Sequence, residues 1–111
     1  FYTLQLFGDV FFNCFFYLMS AFFICQDAMF KKATNFNQDV SAWDVGNAII
    51  MIGMFLEAEN FNQSISLWNV QNVEKLDLMF YGASSFNQDL SMWNIAKVIG
   101  KWGVFTGSAQ Q

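Results

Sequence analysis

At 111 residues the chain has room for one domain, and its net charge of −4 comes from nine acids against five lysines, without arginine or histidine. Apolar residues make up 55%, aromatics 20% and charged residues 13%. The aromatic content excludes intrinsic disorder, the lack of histidine excludes imidazole bases and His metal ligands, and the missing cations argue against a nucleic-acid partner.

The apolar excess is local. Residues 1–30 hold 22 apolar side chains, nine of the fifteen phenylalanines and two charges, Asp9 and Asp27. Val10–Cys25 has only Asn13 and Ser20 as polar residues. As a helix it would reach about 24 Å, short of the ~30 Å hydrocarbon layer. Extension back to Leu4 adds Gln5, Gly8 and Asp9, and an aspartate costs roughly 2.5–3.5 kcal/mol at a helix centre but less near an end. Spanning is permitted and not compelled. Segment 1–27 therefore reads as an apolar, helical N-terminal element that is membrane-inserted, buried against a partner, or a degenerate cap on the rest of the chain. In each case Phe11, Phe12, Phe15, Phe16, Phe22 and Phe23 need cover, because so many exposed aromatics invite aggregation. Lys31 and Lys32 fit either the non-translocated flank of a membrane segment or a solvent-facing helix. A secretory signal fits less well, without a basic leader or a small-x-small cleavage site. Cys14 and Cys25, about 16 Å apart on a helix, are too distant to pair and read as buried thiols.

From residue 28 onward the chain is periodic, with a 25-residue repeat. Phe36-Asn37-Gln38, Phe61-Asn62-Gln63 and Phe86-Asn87-Gln88 define the period. Trp43, Trp68 and Trp93 keep it, as do Phe30, Phe55, Phe80 and Phe105. Met51, Met54, Phe55, Ala58 and Phe61 fall at i, i+3, i+4, i+7 and i+10, the stripe of an amphipathic helix. Val73, Leu76, Phe80 and Ala83 repeat it, with Asn72 placed as an N-cap. Ser66, Trp68 and Val70 alternate as on one face of a short strand. The pattern predicts helices near 28–36, 48–61 and 73–86, a fourth near 98–107, and a strand between successive helices. Units of this kind bury their apolar faces only by stacking. The expected fold class is α/β: a solenoid of short strand plus helix units over 28–111, about three and a half repeats long.

The segment Met79–Ile95, with its Met-Phe-x-x-Ala-x-x-Phe-Asn-Gln-Asp-Leu-Ser-x-Trp-Asn-Ile pattern, resembles the 25-residue repeat of the BspA-like leucine-rich-repeat surface proteins. The resemblance extends over about Ala28–Phe105. It implies a leucine-rich-repeat-like solenoid, often surface-exposed and linked with adhesion, and brings no catalytic residues. Lys101 departs from it where Met51 and Leu76 stand, and Ser108 where Ala33, Ala58 and Ala83 stand.

The polar columns read as structural. Asn37, Asn62 and Asn87 suit a ladder of amides bonding one another and the turn backbone. Asp39 and Asp89, interrupted by Ser64, suit turn capping better than calcium. Trp43, Trp68, Trp93, Phe30, Phe55, Phe80 and Phe105 read as repeat core. Glu57 and Glu59 read as a solvated face without an opposing base. No phosphate loop, metal cluster or nucleophile motif is present, so neither catalysis nor a cofactor is expected. The expected function is a non-catalytic scaffold for protein–protein interaction, a cell-surface adhesion-type protein or a fragment of one. The alternative is a small structural subunit of a membrane assembly, an algal photosynthetic complex being one setting, anchored by residues 4–25. Either reading calls for a protein partner over the apolar N-terminal segment, the open C-terminal repeat, or both, and for a cell-surface or membrane-associated location.

Overall fold

The computed structural model describes residues 28–110. The N-terminal segment 1–27, with its expected helix and its six candidate contact phenylalanines, lies outside them.

Backbone hydrogen bonds within the described residues run from one repeat to the next. The N–H groups of Met51, Gly53, Phe55 and Glu57 donate to the carbonyls of Lys75, Asp77, Met79 and Tyr81. Those of Leu76, Leu78, Phe80 and Gly82 donate to Gly100, Trp102, Val104 and Thr106. Each bond reaches almost one full repeat ahead, with N···O distances of 2.6–2.9 Å. Alternate residues donate, as in a parallel ladder, and parallel pairing is formal at Ile50–Lys75 and Lys75–Gly100. The chain is thus laid down in rungs: 28–52, 53–77, 78–102 and the start of a fourth at 103–110.

Each rung bends through three-residue turns rather than helices. Phe61 N–H donates to Ala58, Ala58 to Phe55, Trp68 to Ile65 and Val73 to Val70, and the neighbouring rungs repeat the set. The expected helix-and-strand architecture is therefore wrong for these residues, which contain no helix and only the isolated parallel bridges. The cause is visible in the backbone angles. Two positions per rung, four residues apart, take a left-handed φ: Ala28, Gly53, Leu78 and Gly103 in one column, Lys32, Glu57, Gly82 and Gly107 in the other. With φ of 53–75° at these positions, no helix at φ ≈ −63° can pass through them. Consecutive turns return every third residue to the same side, so Phe55, Ala58 and Phe61 all face inward without helical winding. Asn72 caps no helix and instead donates from Nδ2 to the Gly46 carbonyl at 2.8 Å.

The inward residues form one core. Phe30, Phe55 and Phe80 stack in a column with ring centroids 5.3 and 5.7 Å apart, and Phe105 extends it by 5.7 Å. Phe36, Phe61 and Phe86 form a second column spaced by 5.7 Å. Within a rung the two columns touch at 3.9–4.0 Å with nearly parallel rings. Ala33, Ala58 and Ala83 are fully buried where each rung turns between its two rings, and they leave room for this approach. Where Ser108 replaces the alanine it is also buried, and its hydroxyl donates to the Phe105 carbonyl at 2.9 Å.

The left-handed columns predict opposite effects for two substitutions. A Cβ added at Gly53 meets only Leu56, at an ordinary 3.5 Å, so Gly53→Ala carries the conformational cost alone and lowers stability by about 1–2 kcal/mol. Lys32→Gly relieves the same strain at an exposed site and raises stability by about 0.5–1 kcal/mol. Denaturant midpoints measured at constant slope check both.

Candidate functional site

The polar side of the stack is built on Asn37, Asn62 and Asn87. Asn62 N–H donates to Asn37 Oδ1 at 2.9 Å, and Asn87 N–H to Asn62 Oδ1 at 2.9 Å. The glutamine that follows each asparagine reaches back to the same amide: Gln63 Nε2 contacts Asn37 Oδ1 at 3.0 Å, and Gln88 Nε2 contacts Asn62 Oδ1 at 2.8 Å. The Gln63 and Gln88 amides also reach the Asn37 and Asn62 carbonyls, at 2.9 and 3.1 Å. These asparagines are exposed, so the bonds align rungs without facing a desolvated cleft.

The tryptophans take a different role at each level. Trp68 is 4% exposed, whereas Trp43 and Trp93 are half-buried. Trp68 Nε1 donates to the Val40 carbonyl and Trp93 Nε1 to the Ile65 carbonyl, both at 3.0 Å. Each indole thus lies over the preceding rung with its one donor satisfied. Phe30, Phe55 and Phe80 are buried, while Phe105 on the last rung is half-buried. Trp68, Phe30, Phe55 and Phe80 are committed to packing, while Trp43, Trp93 and Phe105 keep part of their surface open.

Acidic side chains close the turns. The Asp39 carboxylate accepts from the Ser41 amide and Asp89 from the Ser91 amide, each at 2.9 Å. Bonding from the Ser41 hydroxyl and then its amide holds Asp39 below the ordinary carboxylate range, and at Asp89 the Ser91 amide acts first and the hydroxyl second. Asp44, Asn69 and Asn94 accept from Gly46, Gln71 and Ala96 in the same way. Glu57 lies 3.8 Å from Lys32 across a rung boundary, with both side chains largely in solvent. Among the described residues no group of three or more Cys, Asp or Glu could hold a metal ion, and no helix is long and apolar enough to cross a membrane.

What the periodicity did not single out is the outward apolar surface. Leu67 is 80% exposed and Met92 73%, on adjacent rungs in one column, just before Trp68 and Trp93. Ile99 and Trp102 are exposed near the C-terminal end of the stack. The signal was present in the alternation Ser66-Leu67-Trp68-Asn69-Val70, which turns Leu67 away from Trp68 and Val70. At the C-terminal end a groove of about 430 Å³ opens between Leu90, Trp93, Ile95, Val98 and Phe105, with Lys101 at its side.

A turn-built stack of 25-residue rungs, bonded amide to carbonyl from each rung to the next, defines a repeat protein. The chain belongs to the family described as Mycoplasma protein of unknown function, DUF285, whose model matches residues 25–111. No curated protein and no solved structure matches it.

Two measurements probe these polar columns. Asn62 Oδ1 acts only as an acceptor, so Asn62→Asp keeps both bonds, while Asn62→Ala loses them and costs about 1 kcal/mol. Thermal unfolding should rank the variants in that order. Ser41→Ala removes a donor from Asp39 and raises its pKa towards the ordinary value of about 3.9, a shift that carboxyl NMR titration would follow. Since the folded pKa is depressed, this contribution to stability is present above the ordinary value and is lost as pH falls through the lower folded one.

Proposed function

We propose that the chain is a non-catalytic scaffold for protein–protein interaction, a surface repeat protein of the BspA-like, adhesion-associated kind. The observation that carries this reading is the pair Leu67 and Met92, large apolar side chains held outward in one column on consecutive rungs. The ring columns and indoles already fill the interior, so these two side chains contribute nothing to the core. Their position on a stack braced by rung-to-rung hydrogen bonds fixes their separation before any partner arrives. A preorganised apolar pair costs a partner little ordering entropy, which favours recognition by shape and contact. Membership of a repeat family and the repeat's likeness to surface proteins support the cell exterior as the location. The reading includes no cofactor and no covalent step.

A photo-crosslinking amino acid at position 92, in the protein expressed in its source cell, tests the proposal. A discrete protein adduct is expected from position 92, together with labelling of the protein by a membrane-impermeant reagent on intact cells. Position 84, exposed on the same rung, should give no adduct of that size. Adducts with lipid alone, or protection from the impermeant reagent, would contradict the proposal.

A further inference from the structure

The middle rung departs from its neighbours in the turn that follows the asparagine ladder. Asp39 and Asp89 each close that turn by accepting the amide two residues on, at 2.9 Å. The middle rung has Ser64 in the same column, and its Oγ lies 3.3 Å from Ser66 Oγ. A charge-assisted bond is thus replaced by a longer neutral contact, so the turn gains nothing from serine. What the exchange does create is the tripeptide Asn62-Gln63-Ser64. It is the one place in the 111 residues where an asparagine is followed two positions later by serine or threonine.

The structure presents this asparagine in a form suited to modification. Asn62 and Ser64 are both exposed. Asn62 Oδ1 faces the following rung, where it receives the Asn87 amide at 2.9 Å and Gln88 Nε2 at 2.8 Å. Asn62 Nδ2 donates to nothing among the described residues. A carboxamide keeps its donors on nitrogen and its acceptor on oxygen, so a substituent on Nδ2 leaves both ladder bonds in place. Asn37 and Asn87 are exposed in the same column, but Asp39 and Asp89 follow them and offer no hydroxyl. The two flanking rungs are therefore internal controls for the middle one.

We propose that Asn62 is an N-glycosylation site, modified by a transferase that reads the Asn-x-Ser hydroxyl. The donor class is a lipid-linked oligosaccharyl diphosphate. The anomeric carbon of its first sugar leaves a diphosphate oxygen and bonds to Asn62 Nδ2. That nitrogen gives up one of its two protons, the lipid diphosphate departs, and nothing is oxidised or reduced. The chain is the acceptor and another enzyme the catalyst. The glycan stands on the ladder side of the middle rung, outside the aromatic columns, where a bulky hydrated group displaces no packing. This proposal rests on the exterior location in the reading above, because such transferases act on exported chains.

The test is mass spectrometry of the peptide spanning Asn62, from the protein isolated from its source cell. An oligosaccharide on Asn62 is expected, with Asn37 and Asn87 bare. Ser64→Asp restores the residue of the neighbouring rungs and should lower occupancy at least tenfold in a folded protein, whereas Ser64→Thr should keep it. Asp39→Ser should bring a second glycan, on Asn37. Hydrogen exchange at the Asn87 amide should differ less than about twofold between the glycosylated protein and Ser64→Asp, because Oδ1 still accepts. Bare Asn62 in the isolated protein would overturn the proposal, as would a glycan that survives Ser64→Asp. Exchange at Asn87 about tenfold faster in the glycosylated form would also overturn it, since the ladder would then be broken. Labelling of intact cells with the membrane-impermeant reagent separates the two readings. A labelled protein with bare Asn62 refutes the glycan alone, and a protected protein refutes the exterior location itself.

Discussion

Everything in the described structure depends on one ring lying over another, rung after rung. The Phe30–Phe55–Phe80–Phe105 column and the Phe36–Phe61–Phe86 column keep a spacing of 5.3–5.7 Å. They share each rung through a ring contact of about 4 Å. Two columns fixed at once allow one path length between rings, which is why the repeat length does not vary. An inserted residue would move a ring out of a column and break the backbone ladder in the same rung. Aromatic burial supplies a large share of the driving force here, since Phe side chains bury large areas and stacked pairs add to that.

The ladder and the rings solve each other's problem. A rung made of turns leaves many of its amides without local partners, and buried amides must be paired. Stacking at the ring spacing brings the next rung's carbonyls to 2.6–2.9 Å from those amides. The left-handed residues aim the amides along the stack instead of around it. Asn–Gln pairs on one side and indole N–H groups on another join the same rungs with side chains, donating back from the later rung to the earlier. Backbone, amides and indoles therefore specify one register, the kind of agreement across levels that favours a single structure.

The regular spacing of Phe, Trp and Asn was legible from the residues alone, because stacking demands identity at fixed intervals. The local conformation was misread for a physical reason. A stripe at i, i+3, i+4 and i+7 is the mark of a helix, but consecutive three-residue turns also return Met51, Met54, Phe55, Ala58 and Phe61 to one side. The deciding information lay in the glycines: Gly53, Gly82 and Gly103 each fell inside an expected helix, where glycine costs about 1 kcal/mol. That signal was diluted because Ala28, Lys32, Glu57 and Leu78 take the same backbone conformation in other rungs. The outward residues were hidden differently. Leu67 and Met92 are core types by composition, and only their place in the turn before each tryptophan shows that they face solvent. The bonds from the Trp68 and Trp93 indoles to the preceding rung needed three-dimensional offset, which no periodicity encodes.

The central claim is that alternate amides near the start of each rung bond to the next rung and not to their own turn of helix. Scalar coupling transmitted through the hydrogen bond measures this directly at Phe55. The predicted result is a correlation between the Phe55 amide nitrogen and the carbonyl carbon of Met79 on the next rung, joined at 2.9 Å. A correlation with the Met51 carbonyl, four residues back as in an α-helix, would contradict it.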